Sequence, residues 1–189
     1  MNKSARIGTL EVRRLFQDRR TRVVKFPGNN LKIEHFFPQN HIYIGKTQRA
    51  TFIRSRLGSR PRLVKKEISR NASTKLEPIS EARLATYING LKIRKIRAEV
   101  PLAAIMHING NHSVIYRHYN LEDDEAASKA EKEHLKSELR KHGVEIFDAQ
   151  WVMKRGRITL YDIEQFQVSE ELKKKLGLKY VSGEAEGFF

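Results

Sequence analysis

The chain of 189 residues contains no cysteine, which excludes disulfide bonds and thiolate metal sites and fits a reducing compartment. It also has no apolar run near the roughly 20 residues that a transmembrane helix requires. The first residues, Met1 to Arg14, lack the continuous apolar core of a signal peptide. From these absences we expect a cytoplasmic protein without a membrane span.

Acidic residues are few beside the basic ones, with 22 Asp and Glu against 37 Lys and Arg, so the formal charge is +15 at pH 7. The basic residues concentrate in the first half of the chain, and a second cluster occupies Lys92 to Arg97. Basic clusters attract polyphosphate surfaces through counterion release, without reading a base sequence. The composition therefore predicts a polyanionic partner, nucleic acid above all, and leaves a protein partner open.

The stretch from Phe147 to Glu164 has the pattern of a β-hairpin. Two runs of β-branched and aromatic residues, Trp151–Met153 and Ile158–Tyr161, flank a turn that contains Gly156. Such runs around a glycine-bearing turn are typical of two paired strands. A surface hairpin with polar ends is the simplest interpretation of this stretch.

Polar side chains stand at the outer ends of both runs of this hairpin. Asp148 and Gln150 precede the first run, and Asp162 follows the second. If the runs pair, these three side chains come to the same end of the hairpin. Oxygen ligands that converge in this way suit Mg²⁺ and its bound phosphates. A functional interpretation of the hairpin is therefore a magnesium site.

Periodicity and turn residues predict further elements. A proline at the first helical position and the apolar spacing after it predict a helix over Glu77–Leu91. The dipeptide Asn109-Gly110 predicts a hairpin between Val100–Met106 and His112–Tyr119. Acidic residues at one end and basic residues at the other favour a helix over Leu121–His142.

Near the N-terminus, the patterns favour a short helix over Thr9–Phe16, a strand over Thr21–Phe26 and a returning partner strand over Leu31–Phe37. Three β-rich runs follow, and turn residues separate them. These runs are His41–Gly45, Ala50–Arg56 and Arg62–Ile68.

The segment Asp148 to Glu164 resembles the catalytic segment of protein-kinase-like phosphotransferases. In that family a catalytic Asp is followed by a metal-binding Asn, a short hairpin and the metal-binding Asp of DFG. Here Gln150 stands where Asn is usual, and Asp162-Ile163-Glu164 stands in place of DFG. The resemblance is closest to small atypical members, namely RIO-like, lipopolysaccharide-kinase-like and aminoglycoside-phosphotransferase-like kinases. Weak matches in family order cover residues 41–164.

The resemblance implies binding roles for residues upstream of that segment. Gly45 lies where the loop over the phosphates is expected, and Lys65 matches the phosphate-binding lysine, with Lys66 as a rival. Glu81 matches the helix glutamate that pairs with this lysine. Two residues fall in the stretch that matches the adenine-binding hinge, and these are Tyr116 and His118.

For the chemistry, the resemblance implies that Asp148 orients the acceptor hydroxyl while Asp162 and Gln150 hold Mg²⁺, so the implied cofactors are ATP and Mg²⁺. The chain departs from the family pattern because it has no HRD motif. The usual spacing to the metal-binding amide selects Glu145 instead of Asp148, and the choice between them stays open. Gln150 is also one methylene longer than Asn, and Mg²⁺ tolerates poor ligand geometry badly.

Two other resemblances compete with this one. Tyr43-Ile44-Gly45-Lys46-Thr47, with Arg54 or Arg56 downstream, is similar to part of the GIY-YIG nuclease motif, although no GIY strand precedes it. His107 to His112 is similar to a segment of HNH nucleases, although Met106 stands where an Asp usually precedes the histidine.

The kinase resemblance implies an α+β fold with a β-rich N-lobe that includes one helix, and a minimal C-lobe. The corresponding segments are a basic N-terminal extension at residues 1–40, the N-lobe at 41–120 and the C-lobe at 121–189. The implied function is a small ATP-dependent phosphotransferase with a basic surface for a polyanion. The alternative is a catalytically weak kinase-like protein or an unrelated nucleic-acid-binding module.

Overall fold

A computed structural model describes residues 11–14, 21–47, 50–57, 62–68, 75–93, 96–107, 110–118, 125–154 and 156–181. Within these residues, strands and helices form two compact units, which confirms the mixed α+β class. The strands in chain order are β1 (Glu11–Arg14), β2 (Thr21–Lys25), β3 (His41–Lys46), β4 (Ala50–Ser55), β5 (Arg62–Ile68), β6 (Ile96–Ala98), β7 (Ala103–His107), β8 (His112–Arg117), β9 (Glu125–Ala126), β10 (Val144–Lys154) and β11 (Arg157–Val168). The helices are α1 (Pro78–Gly90), α2 (Lys129–Lys141) and α3 (Glu170–Leu176).

The two units are interleaved along the chain. The first combines Met1–Glu67 with Leu102–Arg117, and the second combines Ile68–Pro101 with His118–Phe189. The chain therefore passes from one unit to the other three times. Helix α1, which the sequence grouped with the strands of residues 41–120, belongs to the second unit.

The first unit is built on a seven-stranded sheet in the order β1-β2-β7-β8-β5-β4-β3. One face of this sheet packs against a short 3-10 helix, Ile33–Phe36, which inserts Ile33 and Phe36 into the core. Residues two apart on a strand point to the same face, so alternate apolar positions supply the other side of this core. The sheet residues of the core include Val23, Ile53, Leu63, Ala103, Ile105 and Ile115.

Two N-terminal expectations were wrong. Residues Glu11–Arg14 form strand β1 instead of a helix, and the segment predicted to return beside β2 contains the 3-10 helix Ile33–Phe36. Strand β2 has no open edge for such a partner, because β1 pairs with one edge and β7 with the other. The hairpin predicted around Asn109-Gly110 is confirmed, since β7 and β8 pair antiparallel.

The second unit packs helices around a four-stranded sheet in the order β6-β11-β10-β9. Strand β6 runs parallel to β11, whereas β10 pairs antiparallel with both of its neighbours. The core joins apolar residues of α1, α2 and α3 to those of the sheet. Its most buried members include Leu84, Ile88, Leu139, Ile158 and Leu160.

Helix α1 confirms its prediction within one residue at each end, but α2 begins at Lys129 and not at Leu121. The Ser128 hydroxyl accepts a hydrogen bond from the Glu131 backbone N–H, and the Glu131 carboxylate accepts one from the Ser128 N–H. This capping box starts the helix. Upstream, Glu125–Ala126 pairs with β10 as a strand and is therefore not helical.

The hairpin predicted around Gly156 is confirmed by the pairing of Lys154 with Arg157. Its strands, however, do not end at the polar residues, because β10 and β11 continue to Val144 and Val168. The polar positions thus lie inside a long ribbon, next to register irregularities between residues 146 and 150. Backbone pairing includes Asp148 and Gln150 and continues beyond them to Val144 and Val168, because ladder hydrogen bonds do not depend on side-chain polarity.

Candidate nucleic-acid interface

The residues predicted for a phosphotransfer site are divided between the two units. Gly45, Lys65 and Tyr116 belong to the first unit. The second unit contains Glu81, His118, Glu145, Asp148, Gln150 and Asp162. Tyr116 and His118, the predicted hinge residues, are both half-buried. Along the chain, the first unit ends at Arg117, between them.

In the first unit, Gly45 and Lys65 line the same open depression, which has a volume of about 590 Å³. This volume falls within the range of roughly 300–1,000 Å³ typical of small-molecule sites. Strands β3, β4 and β5 supply all of its lining. The lining residues are Tyr43, Ile44, Gly45, Lys46, Thr51, Lys65 and Glu67.

A row of three polar residues crosses the floor of this depression. Lys46 of β3 lies opposite Thr51 of β4, and Thr51 lies opposite Lys65 of β5. Residues directly opposite each other on paired strands share a face of the sheet, so the two lysines lie on either side of Thr51 on one face. Because neighbouring strands lie about 4.8 Å apart, the two lysine backbones are separated by roughly 10 Å.

Two large apolar side chains are exposed at the rim of the depression. Tyr43 is 64% exposed and Ile44 is 53% exposed. The register shifts between Tyr43 and Gly45, where β3 has one residue more than β4. Such a β-bulge redirects side chains and is frequent at sheet edges, and β3 is an edge strand. The bulge therefore explains how this strand presents adjacent large residues to solvent.

Lys65 is the most enclosed cation of the depression, with 17% of its side chain exposed. Its Nζ lies 3.5 Å from a carboxylate oxygen of Glu67, whose side chain is 69% exposed. His41 is 3% exposed and lies on the same strand as Tyr43, and no hydrogen bond to either of its ring nitrogens is formed by the residues that the structure describes. Burial and the Lys65 charge lower the pKa of His41 to about 4, so its ring is neutral at pH 7.

The opposite face of the same three strands is also basic. Arg54 of β4 lies between Ile42 of β3 and Arg62 of β5, and both arginines are exposed. Two rows further along the same face, Lys66 lies opposite Ala50. Cations thus occupy both faces of the sheet at this edge.

The excess positive charge of the protein is concentrated in one unit. The residues of the first unit include 18 Lys and Arg but only 4 Asp and Glu, a formal charge of +14. The second unit has 19 basic and 18 acidic residues, a formal charge of +1. Almost the whole net charge of +15 therefore belongs to the first unit.

The second unit contains the residues predicted for catalysis and for Mg²⁺. Glu81 is 6% exposed within α1, and Gln150 is exposed and lies opposite Tyr161 in the ribbon. The side chains of Asp148 and Asp162 lie outside the part that the structure describes. Among the described residues, no three His, Asp or Glu side chains are grouped closely enough to bind a metal ion. The catalytic and metal-binding roles stay predictions.

Lys46 and Thr51 were not predicted to have a role of their own in a site, and Tyr43 was named only as part of the competing nuclease-like motif. One sequence feature does point to them, namely the glycine inside the β-rich run of His41 to Lys46. A glycine within a strand often marks a bulge or a close approach of another chain. Tyr43 and Ile44 immediately precede this glycine, and successive residues of a regular strand point to opposite faces of the sheet.

None of the helices that the structure describes combines the length and the apolar composition needed to span a bilayer. In comparisons with known proteins, no family model, no curated protein and no solved structure matches this chain.

Proposed function

We propose that the protein binds nucleic acid through its first unit. The observation that carries this proposal is the division of charge, +14 in the first unit against +1 in the second. A soluble domain does not need such an imbalance, and net charge far from zero opposes compaction through self-repulsion. The positive charge would favour binding of a polyanionic partner, because each phosphate neutralised by Lys or Arg releases condensed counterions.

The placement of the cations supports a nucleic acid more than a small anion. Arg54 and Arg62 are exposed on one face of β4 and β5, whereas Lys46 and Lys65 lie on the other face. An extended polyphosphate can pass around the β3 edge and contact both sets, which a single phosphate group cannot do. These contacts position the polymer without specifying its base sequence.

The test is the salt dependence of oligonucleotide binding, measured by fluorescence anisotropy. In the variant Arg54→Glu/Arg62→Glu, two phosphate contacts are lost, so the slope of log affinity against log salt should become shallower by about 2. The matched control is Lys129→Glu/Lys174→Glu, which changes two exposed residues of the second unit and alters the total charge equally. Binding should be much weaker in the first variant than in the control.

Two results would reject the proposal. One is the absence of salt-sensitive binding by the wild-type protein. The other is an equal loss of affinity in both variants, which would mean that total charge, and not the first unit, governs binding.

A kinase-like phosphotransferase that binds Mg²⁺ and ATP is the second candidate function. The observation that favours it is that Gly45 and Lys65, the residues predicted to contact phosphates, line one depression. In this hypothesis Lys65 contacts the phosphates, Asp148 orients the acceptor, and two further residues hold the metal ion. These two are Gln150 and Asp162.

Thermal unfolding with and without Mg²⁺-ATP tests this second candidate. A ligand that binds only the native state stabilises it by about 2.7 kcal/mol at 100 times its dissociation constant. The wild-type protein should gain this stability, and Asp162→Ala and Lys65→Ala should each lose it. An unchanged transition in the wild type would exclude the nucleotide site and leave the nucleic-acid proposal untouched.

A further inference from the structure

We infer that the depression on β3, β4 and β5 binds one unpaired base of a single-stranded nucleic acid together with its adjoining phosphates, an inference that rests on the proposed function. The base stacks on Tyr43 beside Ile44, and the phosphates lie along the row of Lys46, Thr51 and Lys65. The first unit is therefore expected to prefer single strands to duplexes.

The exposure of Tyr43 is the first argument. A phenol ring that is 64% exposed on a folded sheet contributes little to the core of its own unit. With Ile44, it forms an apolar surface on a depression that also contains cations. Aromatic side chains beside a positively charged groove bind successive bases by stacking, and this interaction accepts every base because each has a π-face.

The polar row is the second argument. Lys46 and Lys65 lie on either side of Thr51, on the same face as Tyr43. An ammonium group forms charge-assisted hydrogen bonds to phosphate oxygens, and a hydroxyl donates a further one. A nucleotide has both a flat base and a phosphate. The exposed apolar side chains of the depression can contact the base, and its polar row can bind the phosphate.

Glu67 is the acidic member of the lining and limits where a phosphate can lie. Its carboxylate pairs with Lys65 at 3.5 Å, so a phosphate near this end meets both an ammonium and a carboxylate. At the opposite end, near Lys46, none of the described lining residues is acidic. We therefore place the phosphate nearer Lys46, and Glu67→Gln should strengthen binding because it removes one negative charge.

Duplexes are disfavoured because of how bases are packed within them. In a double helix the two faces of each base are covered by its stacked neighbours, so Tyr43 cannot stack without first extracting the base. Single strands offer these faces at little cost, and sequence-tolerant single-strand binding commonly combines aromatic stacking with basic grooves.

The experiment compares labelled oligothymidylate, which does not pair with itself, with a duplex of the same length at one salt concentration. Wild-type protein should bind the single strand more tightly. Tyr43→Ala should weaken this binding by about 5- to 150-fold, the range that corresponds to the loss of one stacked base. Tyr43→Phe keeps the ring and should bind like the wild type.

Heparin provides a readout that separates stacking from charge, because it is a polyanion without bases. Tyr43→Ala should elute from a heparin column at the wild-type salt concentration while binding oligothymidylate less well. Leu57→Ala is the matched control, since Leu57 is 49% exposed in the same unit but does not line the depression. It should change neither measurement.

The outcomes distinguish this inference from the proposed function. Equal affinity for single strand and duplex, with no effect of Tyr43→Ala, would overturn the stacking site while salt-sensitive nucleic-acid binding still stood. Equal losses of heparin and oligothymidylate binding in Tyr43→Ala would also overturn it. If wild-type protein bound neither nucleic acid, the proposed function would fail and this inference with it.

Discussion

The two units of this protein contrast in both architecture and charge. The first is a broad sheet that packs on one face against the short 3-10 helix Ile33–Phe36, and it has a formal charge of +14. The second packs three helices around a four-stranded sheet and has a formal charge of +1. In the second unit, lysines and glutamates pair along the helices, as in Lys136 with Glu133 at 3.0 Å and Lys173 with Glu170 at 3.4 Å. With only 4 acidic residues, the first unit cannot pair most of its 18 cations.

This contrast shows that the basic charge is not a requirement of folding. A sheet of this kind needs an apolar core and paired strand edges, and neither depends on cations. The second unit folds with nearly equal numbers of basic and acidic residues, 19 and 18. We proposed above that a polyanionic partner accounts for the imbalance in the first unit. Three perturbations can sharpen the comparison between the units.

The largest expected effect comes from the core of the first unit. Phe36 is fully buried against the sheet, so Phe36→Ala should cost about 3–5 kcal/mol of unfolding free energy. Phe37 is only half-buried, and Phe37→Ala should cost clearly less. Urea denaturation measures both losses, and hydrogen exchange should locate the loss of protection in the first unit. Similar losses of unfolding free energy in the two variants would show that Phe36 is not the main contact between the 3-10 helix Ile33–Phe36 and the sheet.

Acid should also act on the first unit, through His41. The pKa of His41 is about 4 in the folded protein and 6.5 in the unfolded chain. Between these two pH values the unfolded state binds a proton at His41 and the native state does not. The stabilisation is therefore complete above pH 6.5 and is lost as the pH falls toward 4, by roughly 2–3 kcal/mol.

His41→Leu should remove this part of the pH dependence, because leucine has no proton to bind. Urea midpoints at pH 7 and pH 4 should differ less in this variant than in the wild type. The control is His134→Leu in the second unit, which replaces an exposed histidine and should leave the difference unchanged. An unaltered pH dependence in His41→Leu would contradict the assignment.

The smallest effect is expected in the second unit, at the junction between α2 and β10. Gly143 has a φ of +75°, and an added Cβ would lie 2.5 Å from the Ser169 hydroxyl oxygen. Gly143→Ala should therefore cost about 1–2 kcal/mol, since an L-residue is strained in this left-handed region. Gly90→Ala, at the end of α1, adds a methyl group where nothing lies within 4 Å, and it should not destabilise. Equal thermal stability of the two variants would reject the steric argument.

Local signals in the sequence predicted those elements whose determinants lie within a few residues. The turn at Gly156, the helix Pro78–Gly90 and the β7–β8 hairpin are cases of this kind. The start of α2 was misplaced because acidic residues upstream were given more weight than the reciprocal hydrogen bonds of Ser128 and Glu131.

The candidate site was predictable only in part. Gly45 and Lys65 were selected by a resemblance to kinases, and they do line one depression. Tyr43 and Thr51 were not predicted to have these roles because their importance depends on the register between three strands and on the bulge in β3. Neither property can be read from the composition of a single strand, since a shift by one residue exchanges its two faces.

The amino-acid sequence is sufficient to establish the basic charge and the short-range turns and helices, because each depends on composition or on neighbours along the chain. Only the folded chain brings β2 beside β7 and β5 beside β8, pairings between distant segments that no local pattern encodes. Those pairings also gather 18 of the 37 cations into a unit with 4 acids and leave Tyr43 exposed among them. Long-range strand pairing is selected by the burial of the whole core, so the surface on which our proposals rest exists only after folding.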